Sequence, residues 1–425
     1  MNAASNMTST GLRMTTATLD SHFTLSNGTA LPNRIAKSAM SEALGTMDNR
    51  ATDELVELYR CWGQGGTGLI ITGNVMIDRK ALGEPGNVVI EDERDLDTLR
   101  AWAQAGQADG AQIWVQLNHP GRQCPKGLNK ETVAPSAVAF NKSMQAYFET
   151  PRELTGDEIE DIIARFGRAA GICHQAGFNG VQIHGAHGYL VSQFLSPKTN
   201  QRADEWGGNA ENRRRFVLRV LAAMREATGP DFSIGIKLNS ADFQRGGFTE
   251  EESLDVMAAL AEAGIALIEI SGGTYEAPAM TGVRASTRER EAYFLDFADK
   301  VRARVPDTAL MVTGGFRTHA GMTAALASGS LDVCGIARLL AIEPDVSKRL
   351  LAGQDPLQAV RPIKTGIGPV DRMAIMEVTW YTRQLRRIGR GQTPKPKESG
   401  LKAFLCSLVD TASGMRQTKR LRATP

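Results

Sequence analysis

The sequence predicts an α/β protein, a (β/α)8 TIM barrel with an N-terminal cap, a long loop after the third strand and a C-terminal extension. Three observations carry that expectation. Short apolar or β-branched runs alternate with helical patterns, as in a parallel sheet. Eight such runs occur, the number that closes into a barrel. The first is followed by Ser41, Glu42, Ala43, Leu44 and Gly45, and not by the G-x-G-x-x-G turn expected of a doubly wound sheet.

In chain order, strands are expected at residues 34–40, 68–72, 111–117, 180–184, 233–238, 267–270, 310–313 and 332–335. Helices are expected between them at 53–64, 95–107, 155–175, 209–226, 249–262 and 319–327. Thr155, before Asp157 and Glu158, and Thr249, before Glu250 and Glu251, are suited to cap their helices, since a threonine oxygen accepts from the first free backbone N–H groups. Residues 118–151 form the longest irregular insertion, a candidate lid or substrate loop.

The 425 residues allow two or three domains or one elaborated barrel. The expected division is a disordered leader at 1–20, a barrel at 21–378 and a basic extension at 379–425. Lysine and arginine total 49 against 47 acidic residues, which argues against a nucleic-acid partner. That balance conceals an asymmetry. From Arg383 onward eleven basic residues face two acidic ones, a net of +9, so the preceding chain carries −7. Residues 401–410 have the pattern of a short amphipathic helix, too short to anchor on a membrane. No stretch is apolar enough to span a bilayer. The five cysteines include no C-x-x-C pair, so a reduced cytoplasmic setting is expected, and a homo-oligomer is allowed.

In a barrel of this kind the chemistry sits where strands end. Gly272, Gly273, Gly314, Gly315 and Arg338 follow strands six to eight. Glycines let backbone N–H groups approach a phosphate, and an arginine adds a charged fork. Each glycine pair alone would only turn the chain, but their recurrence beside an arginine favours a phosphorylated cofactor. His184 and His187 close strand four, with Tyr189 just beyond. Two imidazoles can polarise one carbonyl oxygen, and a tyrosine keeps its proton at neutral pH. A metal would need a third ligand, and no carboxylate has the spacing to supply one. Gln116 and Lys237, at the ends of strands three and five, could bond the edge of a heterocycle. Lys237 could equally pair with a carboxylate such as Asp242, or act as a Schiff-base amine in a non-redox lyase barrel.

Residues 177–197 (GFNGVQIHGAHGYLVSQFLSP) and 200–208 (NQRADEWGG), with Glu211, Asn212, Arg213, Arg215 and Phe216, resemble the central signature of the old yellow enzyme family. Supporting matches are 31–35 (LPNRI), 116–122 (QLNHPGR), Gly314, Gly315 and Arg338 followed by Pro344 and Asp345. The resemblance spans about residues 21–378. It implies a barrel holding FMN, reduced by NADH or NADPH, that passes hydride to the β-carbon of an electrophilic alkene. A flavin reductase, NAD(P)H oxidase or oxidative demethylase on the same scaffold is the alternative. The resemblance places Ala39, Met40 and Ser41 along the isoalloxazine, Gly73 and Gln116 at its pyrimidine edge, and Lys237 near N1 and O2. It gives the phosphate to Gly273, Gly315, Ala337 and Arg338, the substrate carbonyl to His184 and His187, and α-carbon protonation to Tyr189. Four positions depart from the family pattern. Ser41 replaces a common Thr or Cys, Lys237 an Arg, Ala39 a Pro and Ala337 a Gly. Longer relatives carry an iron–sulfur cluster after the barrel. Residues 361–366 have no cysteine, so the single-domain form is expected.

Overall fold

Eight parallel strands close on themselves, as the alternation of runs predicts. The computed structural model describes residues 17–277, 294–371 and 375–406. The barrel strands are β1 (Ile35–Lys37), β2 (Leu69–Met76), β3 (Gln112–Asn118), β4 (Gly180–Gly185), β5 (Ser233–Asn239), β6 (Leu267–Ser271), β7 (Ala309–Thr313) and β8 (Val333–Ile336). They lie in chain order around the barrel, with β8 pairing back onto β1. The first is shorter than the sequence suggests. Ser38 N–H still donates to Ile336 O at 2.8 Å, and the chain then leaves the sheet at Ala39.

The predicted helices form as α1 (Asp53–Gln64), α2 (Leu96–Gly106), α3 (Gly156–Gln175), α5 (Ala210–Thr228), α6 (Glu250–Glu262) and α8 (His319–Ala327). Unpredicted helices include α4 (Leu190–Leu195), α7 (Leu295–Arg304), α9 (Val346–Leu351) and α10 (Ile375–Gly389), with one further turn of helix at Gly368–Asp371. Both threonine caps are present as complete capping boxes, Thr155 with Glu158 and Thr249 with Glu252. Each is worth about 1 kcal/mol to its helix. Among the described residues no helix is long and apolar enough to cross a membrane.

Two apolar layers hold the barrel. The larger lies between strands and helices, where α1 buries Leu55, Leu58, Tyr59 and Trp62. The smaller fills the lower barrel with Leu69, Ile71, Trp114, Leu267 and Met311. An antiparallel hairpin, Phe23–Thr24 with Ala30–Leu31, plugs that end through Leu25 and Leu31. Trp114 explains two glycines. A Cβ on Gly180 or Gly235 would fall 2.8 or 2.7 Å from its indole, so the ring needs bare backbone on β4 and β5. With the floor filled, only the upper interior can hold polar side chains.

The basic extension packs against the barrel as far as it is described. Trp380, Leu385 and Ile388 of α10 are buried. A Cβ on Gly389 would lie 2.4 Å from Glu54 O, and Arg390 pairs with Glu54 at 2.7 Å. Residues 401–406 are helical. Residues 407–410 of the expected amphipathic helix, and 1–16 of the expected leader, lie outside the described residues.

Candidate active site

Strand register makes the middle layer of the barrel. Gln182 lies opposite Gln116, Lys237 opposite both His184 and Glu269. Gln116 Nε2 donates to Gln182 Oε1 at 2.8 Å, and Gln182 Nε2 donates to Glu269 Oε2 at 2.7 Å. Lys237 Nζ is 3.0 Å from Glu269 Oε1, both side chains nearly inaccessible. Asp242, the partner suggested by its nearness in sequence, is engaged elsewhere. Its carboxylate accepts from Ser196 Oγ at 2.6 Å and from Phe248 N–H at 3.1 Å. An ammonium clasped by a buried carboxylate is a poor Schiff-base nucleophile.

Above this layer stand the two histidines and the tyrosine. The His184 ring meets His187 edge to face at 5.3 Å and lies tilted against Tyr189 at 4.6 Å, between centroids. Ala186 N–H donates to His184 Nδ1 at 3.4 Å, so the ring proton belongs on Nε2. His187 adopts a left-handed backbone, φ +62°, rare for a residue with a Cβ. Its N–H donates to Asn239 Oδ1 at 3.1 Å, and its Nε2 lies 2.8 Å from Ser271 Oγ. Burial first holds both imidazoles below their usual range, followed by His187 and then the Lys237 charge for His184, and by the Lys237 charge for His187, which falls to about 3. They are neutral at pH 7. Burial, reinforced by Tyr275 and by the Glu84 charge, pushes the Tyr189 phenol well above its usual value.

The remaining predicted residues surround this group at strand ends. Ala39 packs against the inner apolar layer and Met40 against the outer one. Ser41 donates to the Glu84 carboxyl. Gly73 sits at a register shift in β2, its N–H donating to Tyr59 Oη at 3.1 Å and Glu42 Oε1 at 3.2 Å. Behind it Lys37, wholly buried, donates to Ile71 O at 2.7 Å and to Glu42 at 3.4 Å. Burial brings its ammonium down to about 8, against the opposing pull of Glu42. Gly273 and Gly315 have φ of +92° and +95°, and Ala337 precedes the turn Arg338–Ala341. Gly273 N–H donates to Ala241 O at 3.2 Å. Arg338 is steered by Glu377 of α10 at 3.0 Å.

Sequence reasoning missed Tyr275, Glu84, Gln182 and Glu269. Tyr275 Oη is 2.8 Å from Tyr189 Oη and the residue is 41% exposed, so it links the buried tyrosine to solvent. Beside it Glu276 pairs with Arg122 at 2.7 Å, tying the loop after β6 to the loop after β3. Gln193 of α4 secures the latter, with Nε2 donating to Pro120 O at 3.1 Å and Gly188 O at 2.7 Å.

The sequence model of the NADH:flavin oxidoreductase / NADH oxidase family matches residues 21–355. The chain belongs to that family. It is an FMN-dependent NADH:flavin oxidoreductase of the old yellow enzyme group. The NADH-dependent flavin oxidoreductase iliE of Hypocrea jecorina is 36% identical over 353 residues, 77% of this chain and 87% of the relative. The NADH-dependent flavin oxidoreductase nadA of Aspergillus parasiticus is 38% identical over 341 residues, 76% of each chain. Among solved structures, 2-naphthoyl-CoA reductase with 2-naphthoyl-CoA superposes with a TM-score of 0.73 at 27% identity, over 79% of this chain and 52% of that one. Morphinone reductase gives 0.68 at 25%, over 83% and 93%.

The residues present suit a family flavin. Among the described residues no group donates to Gln116 Oε1, and the Asn118 side chain at the top of β3 is buried with neither polar atom bonded. The positive-φ backbone at Gly314 and Gly315 adjoins Arg338 over neighbouring strands, the features of an oxyanion cradle. Hydrogen-bonding groups for a heterocycle therefore lie on one side of the mouth and groups for a phosphate on the other.

Proposed function

We propose that this family member is an ene-reductase, taking electrons from NADH and reducing an alkene activated by a carbonyl or similar group. The carrying observation is the convergence of two neutral imidazoles and a protonated tyrosine on one side of the mouth. Bound FMN supplies hydride chemistry, accepting from NADH and delivering to the alkene β-carbon. Gly73, Gln116 and Lys237 would hold its pyrimidine edge, Ala39, Met40 and Ser41 would flank the ring, and Gly273, Gly315, Ala337 and Arg338 would hold its phosphate, with residues 21–378 as the FMN-binding barrel. His184 donates from Nε2–H to the substrate oxygen, and His187 is placed to share that load. Being neutral, they polarise the carbonyl without competing to protonate it. Tyr189 gives its phenolic proton to the α-carbon and is re-protonated through Tyr275. The preference for NADH rests on relatives described as NADH-dependent.

The test is anaerobic stopped-flow on the yellow holoenzyme. NADH should bleach the flavin absorbance, and an enone should restore it with stoichiometric alkene reduction. Recovery by oxygen alone, with no enone turnover, would overturn the reading in favour of an oxidase. His184→Ala should also weaken binding of phenolic ligands, checked by the spectral shift on titration.

A further inference from the structure

Inside the barrel, polar side chains from β3, β4, β5 and β7 form a network that ends on a single carboxylate of β6. Glu269, wholly buried on β6, receives Gln182 Nε2 on Oε2 at 2.7 Å. On Oε1 it takes Lys237 Nζ at 3.0 Å and Thr313 Oγ1 at 2.6 Å. Thr313 has given away its hydroxyl proton, so Ser38 Oγ, 2.7 Å away, must donate to it. An ionised carboxylate only accepts. That fact sets the direction of every bond in the chain. Gln182 must turn its NH2 to Glu269, which leaves its carbonyl for Gln116. Gln116 must then turn its own NH2 to Gln182, as it does at 2.8 Å, and its carbonyl oxygen faces away from the network. The orientation of the Gln116 amide follows from a charge two residues away in the network. Lys237 forms an ion pair with Glu269 from one side, which leaves ammonium N–H groups for the other. The face above this layer therefore offers an acceptor, Gln116 Oε1, and a donor, Lys237 Nζ. A flavin pyrimidine ring carries the complement, an N3–H beside a C2=O.

We propose that Glu269 is a positioning residue for the flavin. It fixes the polarity of the Gln116 amide through Gln182, and it cancels the Lys237 charge, so that the layer beneath the pyrimidine ring is neutral overall. The proposal rests on placing Gln116 and Lys237 at that edge. It also accounts for how a lysine can stand where relatives commonly have an arginine. A compact ammonium can be clasped from below by one carboxylate while its other protons point upward.

The test is the midpoint potential of FMN bound to the full-length protein, measured by dye-coupled anaerobic reduction. Reduction adds negative charge to the pyrimidine ring, so uncompensated positive charge beneath it raises the potential. Glu269→Gln should shift the potential upward, Lys237→Gln downward, and the double variant should return close to wild type. Gln182→Met, which leaves both charges but cuts the link to Gln116, should weaken FMN binding about tenfold without moving the potential, one hydrogen bond's worth. Should the Glu269→Gln single variant fail to fold, with its lysine buried and unpaired, the neutral double variant still decides. A potential as low as that of Lys237→Gln would mean Glu269 compensates nothing and would overturn the proposal. So would equal potentials for Glu269→Gln and wild type. Wild-type protein that binds no FMN would instead overturn the flavin reading beneath it, and an unmoved potential in Lys237→Gln would overturn the placement of Lys237.

Discussion

The two halves of the barrel differ at the level of the site. Strands β3 to β6 bring Gln116, Gln182, Lys237 and Glu269 inward, long polar side chains locked to one another. Strands β7, β8 and β1 bring Thr313, Gly335 and Ser38, small groups that leave the wall low. One half can grip a heterocycle and the other can make room for it. His184, His187 and Tyr189, the residues proposed for catalysis, continue the gripping half upward from β4. A barrel has no intrinsic front or back, so this asymmetry of side-chain size gives a planar ligand an orientation.

The comparison is broken most sharply at Tyr189. Tyr189→Phe keeps the ring contact with His184 and removes the proton. The oxidative half-reaction with an enone should slow by about 10²–10⁴-fold, roughly 3–5 kcal/mol in barrier, while reduction by NADH is unchanged. Stopped-flow measurement of each half-reaction separates the two. Next in size is Glu276→Gln, which strands the Arg122 guanidinium in a site where both side chains are 6% exposed. Losing one partner of so buried a pair should cost about 3 kcal/mol, read from urea unfolding of the holoenzyme. Cleavage within residues 118–151 by a dilute protease should rise in parallel, because that pair joins the loops after β3 and β6.

On the low side of the barrel, Gly335→Ala places a Cβ 2.1 Å from Thr313 Oγ1 and 2.7 Å from Ser38 Oγ. Neither atom is free to retreat, since both belong to the hydrogen-bond chain that ends on Glu269. The variant should lose roughly 1–3 kcal/mol, measured by the same unfolding, and bind FMN less tightly. Wild-type stability would mean the small half is not close packed.

What was readable in the sequence follows the same division. All eight strands and the helices between them from α1 to α6 other than α4 announce themselves by period, and His184, His187 and Tyr189 by their spacing at one strand end, whereas the long α10 does not. Helix α4 was hidden because all six of its residues are buried, so it has no polar face to show. Tyr275 and Glu84 come from loops after β6 and β2, and only the folded path brings them to Tyr189. Lys237 misleads in an instructive way. Sequence distance favours Asp242 as its partner, whereas register places residue 269 directly beside it. The clue was present: Glu269 interrupts the otherwise apolar strand Leu-Ile-Glu-Ile, and a carboxylate there needs a buried partner.

The smallest expected effect tests an acidic group on the loop after β2, the strand between the two halves. Glu84, on the loop after β2, is hydrogen-bonded by Ser41 and Asn87, yet burial, aided by the Glu42 charge, pushes its carboxyl up to about 7. Its folded value lies above the unfolded value of about 4.3, so folding favours the protonated form. The stability this contributes is complete below pH 4.3 or so and is lost as pH rises toward 7. Glu84→Gln, neutral throughout, should flatten the stability curve over that window by about 1–3 kcal/mol. Glu84 also acts on Tyr189, the proposed proton donor, since its negative charge raises the phenol further and makes it a weaker acid. In the wild type, proton delivery should therefore slow as pH rises through about 7, and the Glu84→Gln profile should stay level. Oxidative half-reactions measured from pH 5.5 to 8.5 give both curves, and superimposable profiles would remove Glu84 from the site.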